Sequence, residues 1–90
     1  MEEKKITLIE NTFNKSDLTF LLSSIISEKI NYHKLRRLSE WEGNHKADTS
    51  FDDTRIDKLR EIQDSLKSEL DKMDGDKFEV KSEIIIRKIK

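Results

Sequence analysis

The residues of this 90-residue chain that could do chemistry are few. His33 and His45 are its two histidines, and Glu40, Glu42 and Asp48 lie near them in sequence. Imidazole with carboxylate is a metal-ligand set. A helical ligand pair, however, normally stands four residues apart, and the position four past His33 is Arg37. The reading is two surface histidines and no metal. Nucleophilic catalysis fares no better, since no Ser, His and acid stand at a recognisable spacing. With Gly43 and Gly75 as the chain's two glycines, no glycine-rich phosphate cradle can form, and no cofactor is expected. Carboxylates are plentiful, but they fall along a solvated helix face, and acid–base chemistry needs a pocket that shifts pKa values. The expectation is a protein that is not an enzyme.

Two basic clusters invite a second reading. Lys29, His33, Lys34, Arg36 and Arg37 gather on one helical stretch, and Arg87, Lys88 and Lys90 stand among isoleucines at the end of the chain. Arg36, Arg37, Arg87, Lys88 and Lys90 could contact nucleic-acid phosphates, the last three from a basic strand entering a groove. The bland alternatives are intramolecular pairing of the first cluster with Asp57 and Glu61, and lysines that guard a strand edge against aggregation. The formal net charge is −1, which argues against nucleic acid as a partner of the whole domain. No aromatics interleave the basic tail, so stacking on single strands is not suggested.

These side chains must be carried by elements, and the pattern for those is clear. Residues 5–13 and 77–90 read as strands and residues 15–41 and 51–74 as helices, with a polar loop at 43–50. The fold class is therefore α+β, strand–helix–helix–strand: a long antiparallel helical hairpin whose terminal strands pair as a small antiparallel sheet. Asn14 and Asp17 have the spacing of a capping box, with Phe13 and Leu18 placed as a hydrophobic staple. Ser50 and Asp53 mark the second helix in the same way, and Gly75 is placed to cap its end. In the last strand Phe78, Val80, Ile84 and Ile86 alternate with Lys77, Glu79, Lys81 and Glu83, the period of a half-buried strand. In the first, Ile6 and Leu8 fall on one face and Ile9 and Phe13 on the other. Trp41 and Phe51 bracket the loop and are expected to pack together at the hairpin tip.

Composition sets the limits. Leu, Ile, Val and Phe make up 25 of 90 residues, enough for a core despite 41% charged residues. Ninety residues suit one domain, but a small one buries little of its surface and often needs staples or association. Without cysteine there is no disulfide. Met1–Lys5 is charged and runs into a strand without an apolar leader core, and the longest apolar runs are Phe20–Leu22 and Ile84–Ile86. A cytoplasmic protein with no membrane partner is expected. The first half of helix one is apolar over a wide arc, more than one hairpin partner can cover. Phe20, Leu21, Leu22, Ile25 and Ile26, with Ile84, Ile85 and Ile86, are the residues expected to mediate self-association, most simply as a homodimer. The functional expectation is a non-catalytic interaction or assembly module; the alternative is a small nucleic-acid-binding or regulatory protein.

Overall fold

The structure, a computed structural model, describes residues 2–89. Its elements are β1 (Glu3–Asn14), α1 (Lys15–Gly43), α2 (Ser50–Asp71) and β2 (Lys77–Arg87). The fold is the α+β strand–helix–helix–strand arrangement, with β1 and β2 forming a two-stranded antiparallel sheet. The chain divides into two compact units. One is a ribbon, the described parts of Met1–Leu18 and Gly75–Lys90; the other is the helical hairpin, Thr19–Asp74.

Element boundaries follow the local chemistry. At the start of α1 the Asp17 N–H donates to Asn14 Oδ1 at 2.7 Å, and Asn14 Nδ2 donates to Asp17 Oδ2 at 3.2 Å. The first bond satisfies a donor that the first helical turn leaves over, and the second braces the two side chains against each other. Asp76 takes one more, accepting from the Lys15 N–H at 3.1 Å, and so ties the root of the ribbon together. The first helix runs two residues beyond Trp41, to Gly43, and the Asn44 N–H bonds back to the Glu40 carbonyl at 3.0 Å.

The second helix departs from its expected signature. Thr49 is the N-cap and makes no side-chain cap bond, while Ser50 is already helical. The orphan Ser50 N–H goes to Asp48 Oδ1 at 2.9 Å. Asp53, the expected box partner of Ser50, instead accepts from Thr49 Oγ1 at 3.1 Å. The helix stops at Asp71 rather than residue 74, closed by bonds from the Lys72 and Met73 N–H groups to the Ser68 and Leu70 carbonyls. Gly75 is thus not the cap. It sits in the following turn with φ of 90°, where a Cβ would meet no neighbour but the backbone conformation itself favours glycine.

In the ribbon, Phe13 stands opposite Phe78, Asn11 opposite Val80, Ile9 opposite Ser82, Ile6 opposite Ile84 and Glu3 opposite Arg87. A bulge between Thr7 and Ile9 adds Leu8 to β1 without a counterpart on β2. One extra residue shifts the side-chain alternation by one. Ile6 therefore shares a face with Ile9 and Phe13, contrary to the strict alternation expected. Ile9 and Phe78 on this face are buried, Phe13 and Val80 half-buried, and Leu18 at the foot of α1 is also buried. Toward the free end the same face opens to solvent at Ile6 and Ile84.

The hairpin unit has its core at Ile30, Ile56 and Leu59, with Ile26 packed against them. Farther along, Gln63 Nε2 donates to the Ser23 carbonyl at 3.1 Å and to Ser27 Oγ at 2.7 Å. Small serines let the helices approach at that level, and Gln63 answers the polar groups they bring. These contacts define a seam on α1: Ser23, Ile26, Ile30, His33 and Arg37, at spacings of three and four.

Candidate functional site

The polar end of that seam is a buried cluster beside the hairpin loop. His33 is 5% exposed and Asp52 1%. His33 Nδ1 and Asp52 Oδ1 stand 2.9 Å apart. The carboxylate accepts from Nδ1–H, which leaves Nε2 as the other ring nitrogen. That atom is buried and has no hydrogen-bond partner among the described residues. Around the pair, Arg36 Nε lies 3.6 Å from Asp52 Oδ2 and donates to Glu40 Oε1 at 3.2 Å. The bond to Glu40, then one to Tyr32, then the charge of Asp52 raise the Arg36 pKa above its ordinary value. Arg37 donates to Asp53 Oδ1 at 2.7 Å, and this bond first, with that from Thr49, holds the Asp53 carboxyl below the usual carboxylate range. Asp48 is likewise lowered, by the Ser50 N–H.

His33 is therefore not a surface histidine. It continues the three–four spacing of Ile26 and Ile30, and that spacing is the signal by which its burial could have been read. The basic cluster does pair within the chain, but with Asp52 and Asp53 rather than with Asp57 and Glu61. The aromatic pairing at the tip also differs. Trp41 stacks on His45, with centroids 4.1 Å apart and planes 14° from parallel. Phe51 instead meets the His33 ring edge to face at 6.3 Å and lies under the Arg36 guanidinium, 5.6 Å from Cζ to the ring centroid. Phe51 is carried on the first turn of α2 beside His33, while Trp41 stands near the end of α1.

An aspartate-oriented histidine is half of a general base. Here, among the described residues, no hydroxyl meets Nε2, and the ring is buried. Among the described residues no group of three His, Asp or Glu stands close enough to hold a metal. An open hollow of about 380 Å³ beside the cluster is lined by Lys34, Arg37, Leu38, Trp41 and Thr49, and neither histidine lines it.

The other candidate site is apolar. In the hairpin unit α1 carries a second seam, Leu21, Ile25, Tyr32 and Leu35, spaced four, seven and three with Glu28 in the gap, on the side away from Ile26 and Ile30. Ile25 is 37% exposed, Tyr32 57% and Leu35 59%, and Phe20 and Leu38 flank them at 76% and 50%. Of the five residues in this helix expected to associate, Phe20 and Ile25 are exposed while Leu21, Leu22 and Ile26 are half-buried. In the ribbon unit Ile84, Ile85 and Ile86 are all exposed, as are Leu8 and Ile89. Among the residues read as phosphate contacts, Arg36 and Arg37 are paired as above and Arg87 Nε donates to Glu3 Oε2 at 2.9 Å. Lys88 is exposed, and Lys90 lies outside the described residues.

The chain matches no protein-family model, and neither a curated protein nor a solved structure matches it. No helix is long and apolar enough to cross a membrane.

Proposed function

We propose that this protein is a non-catalytic assembly module that associates with further copies of itself, in the simplest case as a homodimer. The observation that carries the reading is the second seam of α1. A helix whose first seam is filled by α2 still presents Ile25, Tyr32 and Leu35 to water at a spacing suited to another helix. A second copy supplies such a helix without further assumption, since a two-fold contact brings the same patch from both sides. The closed-off state of His33 and Asp52 supports the non-catalytic half of the reading. The pairing of Arg36, Arg37 and Arg87 with acids of their own chain supports it over nucleic-acid binding, because phosphates would have to displace Asp52, Asp53 and Glu3. Cysteine-free composition suits the cytoplasm, and that is the compartment this reading assigns.

Light scattering at micromolar concentration should return a mass of twice 10.7 kDa or more, little changed by salt. A monomeric mass with a cooperative unfolding transition refutes self-association. Affinity for DNA or RNA that falls steeply with salt would promote the nucleic-acid reading.

A further inference from the structure

From the two edges of the ribbon we infer that β2 pairs with β2 of a second copy, antiparallel across a two-fold axis centred on Ser82, to make a four-stranded sheet in the order β1-β2-β2-β1. The inference rests on the self-association proposed above and adds to it an edge and a register.

A two-stranded sheet has two open edges, and these two are unlike. The β1 edge is interrupted by the bulge at Leu8, a device that spoils strand addition. The β2 edge runs from Lys77 to Arg87 without a bulge and without proline. It also carries Ile84, Ile85 and Ile86 in the open. A regular edge with exposed isoleucines is the one prepared for another strand.

The sequence of β2 then selects the strand. A two-fold axis perpendicular to a sheet keeps each face on its own side, so a residue can stand opposite only those of its own parity. Centring on Lys81 or Glu83 sets like charges against each other at the axis. Centring on Val80 matches charges but leaves Ile84–Ile86 beyond the partner's strand. Centring on Ile85 matches the isoleucines but pairs only residues 83–87. Centring on Ser82 pairs all of Lys77–Arg87. It sets Val80 against Ile84 and Phe78 against Ile86 on one face, and Lys81 against Glu83 on the other, each of them twice by symmetry. The small Ser82 meets its own copy at the axis. Glu79 falls opposite Ile85, a mixed pair, and the like-charged pair Lys77 with Arg87 falls at the ends, where Arg87 is already bound by Glu3.

The absence of native cysteine makes the test direct. Ser82→Cys and Ile85→Cys are each labelled with a nitroxide after light scattering has shown that the association is retained. In the proposed register the two Ser82 Cα atoms are about 5 Å apart, whereas the two Ile85 positions, six residues apart along the paired strands, are about 20 Å apart. Strong dipolar broadening at 82 with none at 85 is the expected result. An associated protein that shows no broadening at 82, or shows it at 85, overturns the inference while the proposed function stands. A monomeric wild-type mass overturns both. If the labelled variants do not fold, isotope-mixed wild-type protein gives the same answer. Val80 methyl groups should then show intermolecular contacts with Ile84 methyl groups, and their absence from an associated sample overturns the register.

Discussion

The two helices of the hairpin are built on different plans. Helix α2 has one apolar stripe, in which Ile56, Leu59 and Leu70 are buried, and the segment that contains it holds eight acids and five bases. Of its apolar residues only Phe51 and Ile62 are exposed, with Met73 exposed just beyond its end. Helix α1 spends its charge sparingly and carries two stripes, of which α2 covers one. A helix with a single stripe is complete once its hairpin partner is in place. A helix with two is complete only when something else arrives. The same contrast recurs in the ribbon, where β1 is blunted by a bulge and β2 is left regular and apolar at its far end.

The first way to sharpen the comparison is to cut into each stripe. Ile56 is 2% exposed in the hairpin core. Ile56→Ala should lower stability by about 2–5 kcal/mol, read as a fall in the urea midpoint at unchanged slope. An effect below about 1 kcal/mol would mean that the seam between the helices is not the core.

Asp52→Ala comes next. It leaves both ring nitrogens of the buried His33 without a partner and should cost about 1–3 kcal/mol. Asp52→Asn keeps an acceptor at the same place and should recover most of the loss. If the two variants melt alike, the His33–Asp52 contact is not what holds that end of the hairpin.

Changes on the open stripe should do the reverse of Ile56→Ala. Leu35→Ala removes an exposed side chain, so the stability of the hairpin itself should move by no more than about 0.5 kcal/mol. The light-scattering mass should nevertheless shift toward the monomer, and Leu35→Glu should shift it further. A mass that ignores both substitutions would take the second stripe out of the assembly.

The smallest effect belongs to the acid limb. Asp53 and Asp48 have folded-state pKa values below the ordinary 3.8. A depressed carboxylate stabilises the fold fully above its unfolded value and loses that contribution as pH falls through the lower folded value. Stability should therefore begin to fall below about pH 3.8, and Arg37→Gln should flatten the Asp53 part of that fall. Both carboxylates are solvent-exposed, so added salt should shrink the difference. Urea midpoints at pH 5 and pH 3, with and without salt, read the effect directly.

Much of the architecture was legible because its signals are local. The Asn14–Asp17 pair and the alternation of Phe78 and Val80 with Lys77, Glu79 and Lys81 each concern residues within a few positions of one another. The buried cluster was harder to see. A histidine in a run of bases reads as part of a solvated face, and only its place in the spacing Ile26–Ile30–His33–Arg37 marks it as inward. Asp52 carried no such mark, because its burial depends on His33 being opposite, nineteen residues earlier in the chain. Phe51 against His33 is a contact between the two helices, and Trp41 against His45 one between the end of α1 and the loop that follows it.

By itself, then, the sequence determined the order and type of the elements, the apolar periodicities and the surplus of apolar surface on α1. Hydrogen-bonding propensity, capping and side-chain period act over a few residues and need no partner to be read. Only the tertiary structure decided which of the two stripes of α1 meets α2, that Asp52 and Asp53 rather than Asp57 and Glu61 receive the bases, and that a bulge at Leu8 returns Ile6 to the face of Ile9. Each of these is a choice of register between segments distant in sequence. Several registers satisfy the local pattern equally, and they differ only in which long-range contacts they bring together.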